Sequence, residues 1–266
     1  MHVITHWLLV DKITDLDYAK VRKKIVSFMK SELLSSKKNG FAIGLSGGLD
    51  SSVVTALAAE AVGSKLLALI LPSARITPVQ DIDDAVALCK KLNVKYDIID
   101  LGQIHSSMVR RLRPDRLATG NLLARLRMCV LYYYANKKNL LVLGTSDRSE
   151  LLIGYFTKYG DGAADILPIA SLYKVQVRAL GIHLKLPAPI LSKKIGPRLW
   201  QRHTAEKEIG MSYQEIDSIL YCMFDLKQSP KNTAKKLGVP IKKVMKIKKM
   251  HDVSRHKREM AKICKL

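Results

Sequence analysis

The chain has 266 residues, 48% of them hydrophobic and 26% charged, and it carries 45 Lys and Arg against 23 Asp and Glu, a formal charge of +22. That is a globular composition with enough apolar residues for a sizeable core. It excludes an intrinsically disordered chain and suits roughly one or two domains. So basic a balance asks for an acidic partner: nucleic acid, anionic lipid or a phosphorylated metabolite.

The opening segment, MHVITHWLLVDK, has a short apolar run without a basic stretch before it and makes a poor signal peptide. The longest apolar run, Leu66–Leu71, falls far short of the roughly 20 residues that span a bilayer. Cys89, Cys129, Cys222 and Cys264 lie far apart, with neither metal-ligand spacing nor a disulfide framework. A soluble, cytoplasmic protein with no membrane partner is expected. A helix is predicted across Asp17–Leu34, then a buried strand over Phe41–Leu45 that Gly47 and Gly48 interrupt. Ser51–Val62 reads as a helix apolar almost all round, and Leu66–Leu71 as a strand closed by Pro72. Asp81–Leu92 is amphipathic: Ile82, Ala85, Val86, Cys89 and Leu92 form the inward stripe, and Asp83, Asp84, Lys90 and Lys91 face outward. Lys95–Ile99 and Leu140–Leu143 are further strands. This alternation predicts an α/β fold, a parallel twisted sheet flanked by helices. Ligands then sit beyond the carboxyl ends of the strands, at the loops Ser46–Asp50, Pro72–Gln80 and Gly144–Glu150. From about Pro187 the pattern turns to short helices, so the reading is one domain over 1–266 with a mainly helical part over 187–266. Within it, Asn232–Gly238 and Val239–Met250 read as helix, turn, helix: a solvated, Lys-rich pair in preference to a DNA-reading motif, because helix pairs joined by a Gly turn are common. Residues 227–266 hold 14 bases and two acids, more than half of the excess charge.

The segment Gly44-Leu45-Ser46-Gly47-Gly48-Leu49-Asp50-Ser51-Ser52 falls between the first strand and its helix. Adjacent glycines let the backbone turn sharply and approach a ligand, and the helix N-terminus favours an anion. Ser46, Ser51 and Ser52 add hydroxyl donors, so the segment reads as a phosphate cradle. It is not the GxxxxGK[ST] loop, because no Lys follows the glycines. The string resembles the pyrophosphate loop of the N-type ATP pyrophosphatases. The resemblance implies an adenine nucleotide alpha-hydrolase-like, Rossmann-like fold, ATP as co-substrate and a magnesium carboxylate at Asp50.

Further strings narrow the resemblance to NAD synthetase. Asn121-Leu122-Leu123-Ala124-Arg125-Leu126-Arg127-Met128 is similar to NxxARxRM, and Gly144-Thr145-Ser146-Asp147-Arg148-Ser149-Glu150 to GTxxxxE. Gly154 to Asp165 is similar to GYFTKYGDGGAD with Ala163 in place of a Gly; Leu172 to Arg178 resembles LYKTQVR, and His256-Lys257-Arg258 the HKR string. The resemblance implies ATP contacts at Gly44, Leu45, Ser46, Gly47, Gly48, Leu49, Asp50, Ser51, Thr145 and Lys174. It implies magnesium at Asp50 and Glu150, and deamido-NAD contacts at Arg125, Lys158, Asp165, His256 and Lys257. Asp161 would act on the incoming ammonia. Asp147 and Glu150 also have the spacing of a helix-capping pair.

The resemblance weakens over Ile195 to Glu206, where only Leu199, Trp200, Thr204 and Glu206 agree, Gly196 replaces a Ser or Thr that contacts ATP, and Ala205 replaces an acid. The implied reaction joins ammonia to the nicotinate carboxylate of deamido-NAD through an adenylated intermediate, releasing AMP and pyrophosphate. With the loop at residue 46 there is no room for an amidase domain ahead of it, so ammonia is expected as the nitrogen source. A homodimer is the family expectation. Two rivals use the charge differently: a tRNA-modifying adenylating enzyme, and a non-catalytic nucleic-acid-binding protein. The tail has no aromatic residue after Phe224 to stack a base, and the intact loop with Asp50 and Glu150 favours chemistry on nucleotides over nucleic-acid binding.

Overall fold

The computed structural model describes residues 6–74, 76–200 and 203–265. Met1 to Thr5 of the opening segment, Arg75 of the Pro72–Gln80 loop, Gln201 and Arg202 of the divergent run, and Leu266 lie outside the described residues. Four parallel strands form one sheet in the order β3-β2-β1-β4: β1 is Gly40–Gly44, β2 Leu66–Ile70, β3 Lys95–Ile98 and β4 Leu140–Leu143. The expected parallel α/β architecture is what the chain adopts. Parallel neighbours need crossovers, which α3 (Leu49–Val62), α4 (Val79–Leu92), α5 (Gly102–Val109) and α6 (Arg116–Lys138) provide, with α1 (His6–Thr14) and α2 (Tyr18–Ser36) ahead of β1. Asp17 starts α2 as its cap, accepting from the Lys20 amide at 3.0 Å. Sheet and helices share a core that includes Phe41, Ile43, Val53, Leu57 and Cys89, each fully buried.

Asp84 does not face outward; it is buried, because Lys193 reaches back from a distant segment and places its ammonium 2.6 Å from the Asp84 carboxylate.

The remaining helices are α7 (Arg148–Ile153), α8 (Lys174–His183), α9 (Ala188–Ser192), α10 (Ala205–Ile209), α11 (Tyr213–Leu220), α12 (Pro230–Leu237), α13 (Ile241–Val253) and α14 (Arg255–Arg258). Val177 and Leu180 of α8 and Ile190 of α9 join the first core; a second core forms where Leu9 and Ile13 of α1 meet Ile216 and Leu220 of α11, Leu237 of α12, and Val244 and Ile247 of α13. The Lys-rich pair is thus amphipathic, with its apolar face spent on this core. Among the described residues no helix is long and apolar enough to cross a membrane.

Candidate active site

A cavity opens at the carboxyl ends of β1, β2 and β4. It is lined by Gly44, Leu45, Ser46, Gly48, Leu49, Asp50 and Ser51 of the glycine segment, by Thr145 and Glu150 after β4, and by Asp161. This is where the open ends of parallel strands put ligands. The loop is shaped before any ligand arrives. Gly47 has φ 72°, and a Cβ there would lie 2.1 Å from the Asp81 carbonyl oxygen, so only glycine fits. The Ser46 and Ser51 hydroxyls lie 3.0 Å apart, and Ser51 Oγ accepts from the Ser46 amide at 3.2 Å. Ser52 departs from its expected role: its hydroxyl donates to the Gly48 carbonyl at 2.7 Å, inside the turn, and does not line the cavity.

Beneath the loop four charged side chains converge. Lys174, 1% exposed, places Nζ 2.7 Å from Asp50 Oδ2, 2.9 Å from Asp147 Oδ2 and 2.9 Å from Glu150 Oε1. Asp147 caps α7, accepting from the Glu150 amide at 2.8 Å, and Glu150 reaches back to complete a capping box. The capping reading of the Asp147–Glu150 spacing therefore holds. Burial, and then the crowding of the carboxylates, pushes Asp147 up to about 6 and raises Glu150 well above the usual range. Burial alone would lower Lys174, but Asp147, Asp50 and Glu150 together hold it well above its usual value. Lys174 does not line the cavity; its ammonium is engaged by the three carboxylates.

The donor set fits magnesium. Asp50 and Glu150 both line the cavity, offer hard carboxylate oxygens, and Asp50 Oδ1 is buried without a hydrogen-bond partner. Mg²⁺ takes one or two carboxylates and leaves its other positions to water and phosphate. Among the described residues no group of three or more His, Cys, Asp or Glu is placed to hold a metal ion.

Asp161 opens to the cavity, and its carboxylate accepts from the Thr157 amide at 2.8 Å; the surrounding protein raises its pKa. Lys257, also near it, donates to the carbonyls of Gly154 and Phe156 at 2.7 Å each. Lys158 donates to the His256 carbonyl, and Arg125 donates to the Lys158 carbonyl at 3.3 Å. The five residues expected at deamido-NAD do not line the cavity. Arg125, Lys158, His256 and Lys257 instead form a connected basic group beside it, tying α14 to the Gly154–Asp165 loop. Asp165 stands apart from this group: its two oxygens take the Val142 amide at 2.7 Å and the Tyr132 hydroxyl at 3.2 Å, which pins the loop to β4.

The divergent run forms a wall of the cavity through Lys194, Ile195, Gly196, Pro197, Arg198, Leu199 and Ala205. Its departures have packing causes. A Cβ on Gly196 would come within 2.6 Å of the His203 carbonyl oxygen, so a Ser or Thr does not fit this path. Ala205 is fully buried and donates its amide to the Ile195 carbonyl at 3.0 Å, a poor place for an acid. Trp200 stacks on His203 with ring centroids 3.5 Å apart, and Arg116 lies 5.0 Å over the same indole. His203 and Tyr155 share Glu208 at 2.7 and 2.6 Å. Lys193 anchors the other end, donating to the Gly47 carbonyl at 2.8 Å and pairing with Asp81 at 2.8 Å; Arg198 also reaches Asp81, at 3.1 Å.

Several site residues escaped the sequence reading. Arg127 lines the cavity and donates to the Leu71 carbonyl at 3.1 Å; burial lowers it to about 10, with Asp161 opposing. It was visible inside the NxxARxRM string. Lys193, Asp81, Tyr213 and Asp217 had no local signal. Asp217 is fully buried and accepts from Ser149 Oγ at 2.5 Å and from the Val175 amide at 2.9 Å, while Ser149 Oγ accepts from the Lys174 amide at 2.9 Å. The Tyr213 ring lies 5.2 Å below the Lys174 ammonium. The C-terminal helices thus mount the lysine from below.

Known proteins are similar over nearly the whole chain. The NAD synthase family model matches residues 21–261. The NH(3)-dependent NAD(+) synthetase of Hyperthermus butylicus is 48% identical over 256 residues, which cover 95% of this chain and 93% of that protein. The protein of the same name from Staphylothermus marinus is 47% identical over 255 residues, 94% of this chain and 93% of that one. Among solved structures, NMN synthetase from Francisella tularensis aligns with a TM-score of 0.84 at 37% identity, over 95% of this chain and 100% of that one. NH3-dependent NAD synthetase from Campylobacter jejuni aligns with a TM-score of 0.80 at 31% identity, over 94% and 100%. On a match that spans nearly the whole chain and the strings that build the cavity, the chain belongs to the NAD synthase family.

Proposed function

We propose that the chain amidates deamido-NAD to NAD with ammonia and ATP, through an adenylated carboxylate, releasing AMP and pyrophosphate. The observation that carries this reading is the convergence of the SGGLDSS loop, Asp50, Glu150 and Asp161 on one cavity, in a chain that matches proteins named NH(3)-dependent NAD(+) synthetase over more than nine-tenths of their length. A carboxylate does not accept an amine directly, and adenylation gives it a leaving group. The protein's part is placement and charge compensation. Ser46, Ser51, the loop amides and Thr145 would hold ATP phosphates, with Lys174 turning from its carboxylates toward the pyrophosphate. Asp50 and Glu150 would hold magnesium, which when bound supplies positive charge to the phosphate oxygens. The basic group Arg125, Lys158, His256 and Lys257 would bind the deamido-NAD phosphates, with Asp165 holding the loop that presents them. Ammonium has no lone pair, so Asp161 would bind it and take its proton.

A homodimer fits the exposed apolar side chains Ile104, Met108, Leu117 and Tyr133 along α5 and α6. The likeness to a protein named NMN synthetase favours a second acceptor, the mononucleotide acid, on the same chemistry. Pyrophosphate release decides between them. We expect release with ATP and deamido-NAD, weaker release with nicotinate mononucleotide, and amide product with ammonium but not with glutamine. No pyrophosphate with either acid overturns the proposal.

A further inference from the structure

The cluster beneath the loop holds one carboxylate too many for its expected tasks. Asp50 and Glu150 line the cavity and are placed for magnesium; Asp147 is fully buried and does not line it. Asp147 nevertheless spends Oδ2 on the Lys174 ammonium at 2.9 Å, while Oδ1 caps α7. A cap alone needs no charge, because Asn and Ser cap as well as Asp. The Tyr213 ring lies 5.2 Å from the same ammonium, and Ser149 holds the Lys174 backbone amide at 2.9 Å. When all three carboxylates are ionised, they carry two formal negative charges beyond the one ammonium, which matches one divalent cation.

We propose that Asp147 is a positioning residue for the metal pair: it holds the Lys174 ammonium on the buried side of the cluster and so leaves Asp50 and Glu150 to take a divalent cation from the cavity. This rests on the magnesium reading of Asp50 and Glu150. Without the Asp147 charge, the ammonium has only those two carboxylates as anionic partners and competes with the ion for them. The cluster also loses one of its two excess negative charges. Both effects weaken metal binding. Lys174 is in this sense an internal cation that keeps the cluster from being an uncompensated knot of acids, and Asp147 sets how strongly it competes.

The test is Mn²⁺ titration of the whole, nucleotide-free protein, with free Mn²⁺ read by electron paramagnetic resonance. Asp147→Asn keeps the helix cap and removes the charge; it should weaken Mn²⁺ binding about 10–100-fold, the usual cost of losing a partner behind a metal ligand. Lys174→Met removes the competitor and should bind Mn²⁺ at least as tightly as the wild type. A merely structural role for the cluster would weaken both. Should Lys174→Met fail to fold, Asp147→Ser, a neutral cap, should reproduce the Asp147→Asn loss. If Asp147→Asn binds as tightly as the wild type while Asp50→Asn does not bind, the inference fails and the magnesium reading stands. If Asp50→Asn binds like the wild type, or the wild type binds no Mn²⁺, the magnesium reading fails and takes the inference with it.

Discussion

The buried carboxyl of Asp217 makes a sharp prediction about stability and pH. Burial, and then the nearby charge of Asp147, pushes it from the ordinary 3.8 to about 8. Below the lower value Asp217 is protonated whether the chain is folded or not, and it has no effect on the balance. As pH rises the unfolded chain releases its proton first, so stability falls until the folded carboxyl ionises near pH 8. Between its two pKa values one such group changes stability by about 1.4 kcal/mol per pH unit. From pH 5 to pH 7 the wild type should therefore lose about 3 kcal/mol through Asp217 alone. Asp217→Asn is nearly isosteric: its oxygen can still accept from the Val175 amide and its nitrogen can donate to Ser149 Oγ. Guanidinium chloride unfolding of both proteins at pH 5, 6 and 7 isolates the difference, because Asp147 and Glu150 titrate in both. The gap should open steadily in favour of the variant as pH rises. Parallel pH profiles would refute the reasoning, since Asp217 would then ionise alike in the folded and unfolded chain.

Four further outcomes follow from named contacts. Gly47→Ala puts a methyl against the Asp81 carbonyl in a left-handed backbone that costs about 1–2 kcal/mol by itself; calorimetry should show ATP affinity falling by about tenfold or more. Asp161→Asn should lower amide formation at limiting ammonium in steady-state assays while the KM for ATP holds; full activity would remove Asp161 from ammonia chemistry. Lys193→Met takes the ammonium from the buried Asp84 carboxylate while Asp81 keeps Arg198, and loss of one partner of a buried pair costs about 3–5 kcal/mol; the melting temperature should drop and the KM for ATP rise together. With a formal charge of +22 and two polyanionic substrates, kcat/KM should fall steeply as ionic strength rises.

The strands and the loop were legible because their signals are local. Phe41–Leu45 was read where β1 runs Gly40–Gly44, and Gly47-Gly48 marked the turn that the Asp81 carbonyl now explains. The inward stripe of Asp81–Leu92 was legible too, since Ala85 and Cys89 are fully buried. Asp84 was misread for a reason no helix pattern contains: its partner Lys193 lies more than a hundred residues away. The 23-residue α6 was seen only at Asn121 and Arg125, because its apolar residues do not gather on one face. Its Gly120 gives room to Leu199 and Trp200 of the cavity wall. The same limit hid Asp217 and Tyr213, which meet Lys174 from a separate helix and read in isolation as an ordinary acid and a core aromatic. The basic excess is also clearer. Lys174, Lys193 and Lys257 are tied into the site, and Lys243 and Lys246 are bound to Glu215 and the Ile209 carbonyl at the edge of the second core.

The most direct measurement supplies the purified protein with ATP, deamido-NAD, magnesium and ¹⁵N-labelled ammonium and follows NAD and AMP together. The two should appear in equal amounts, with the label in the carboxamide of NAD, and neither amide nor label should appear when ATP is withheld. ATP cleavage to AMP without labelled NAD, or no reaction at all, would contradict the assignment of this cavity to carboxylate amidation.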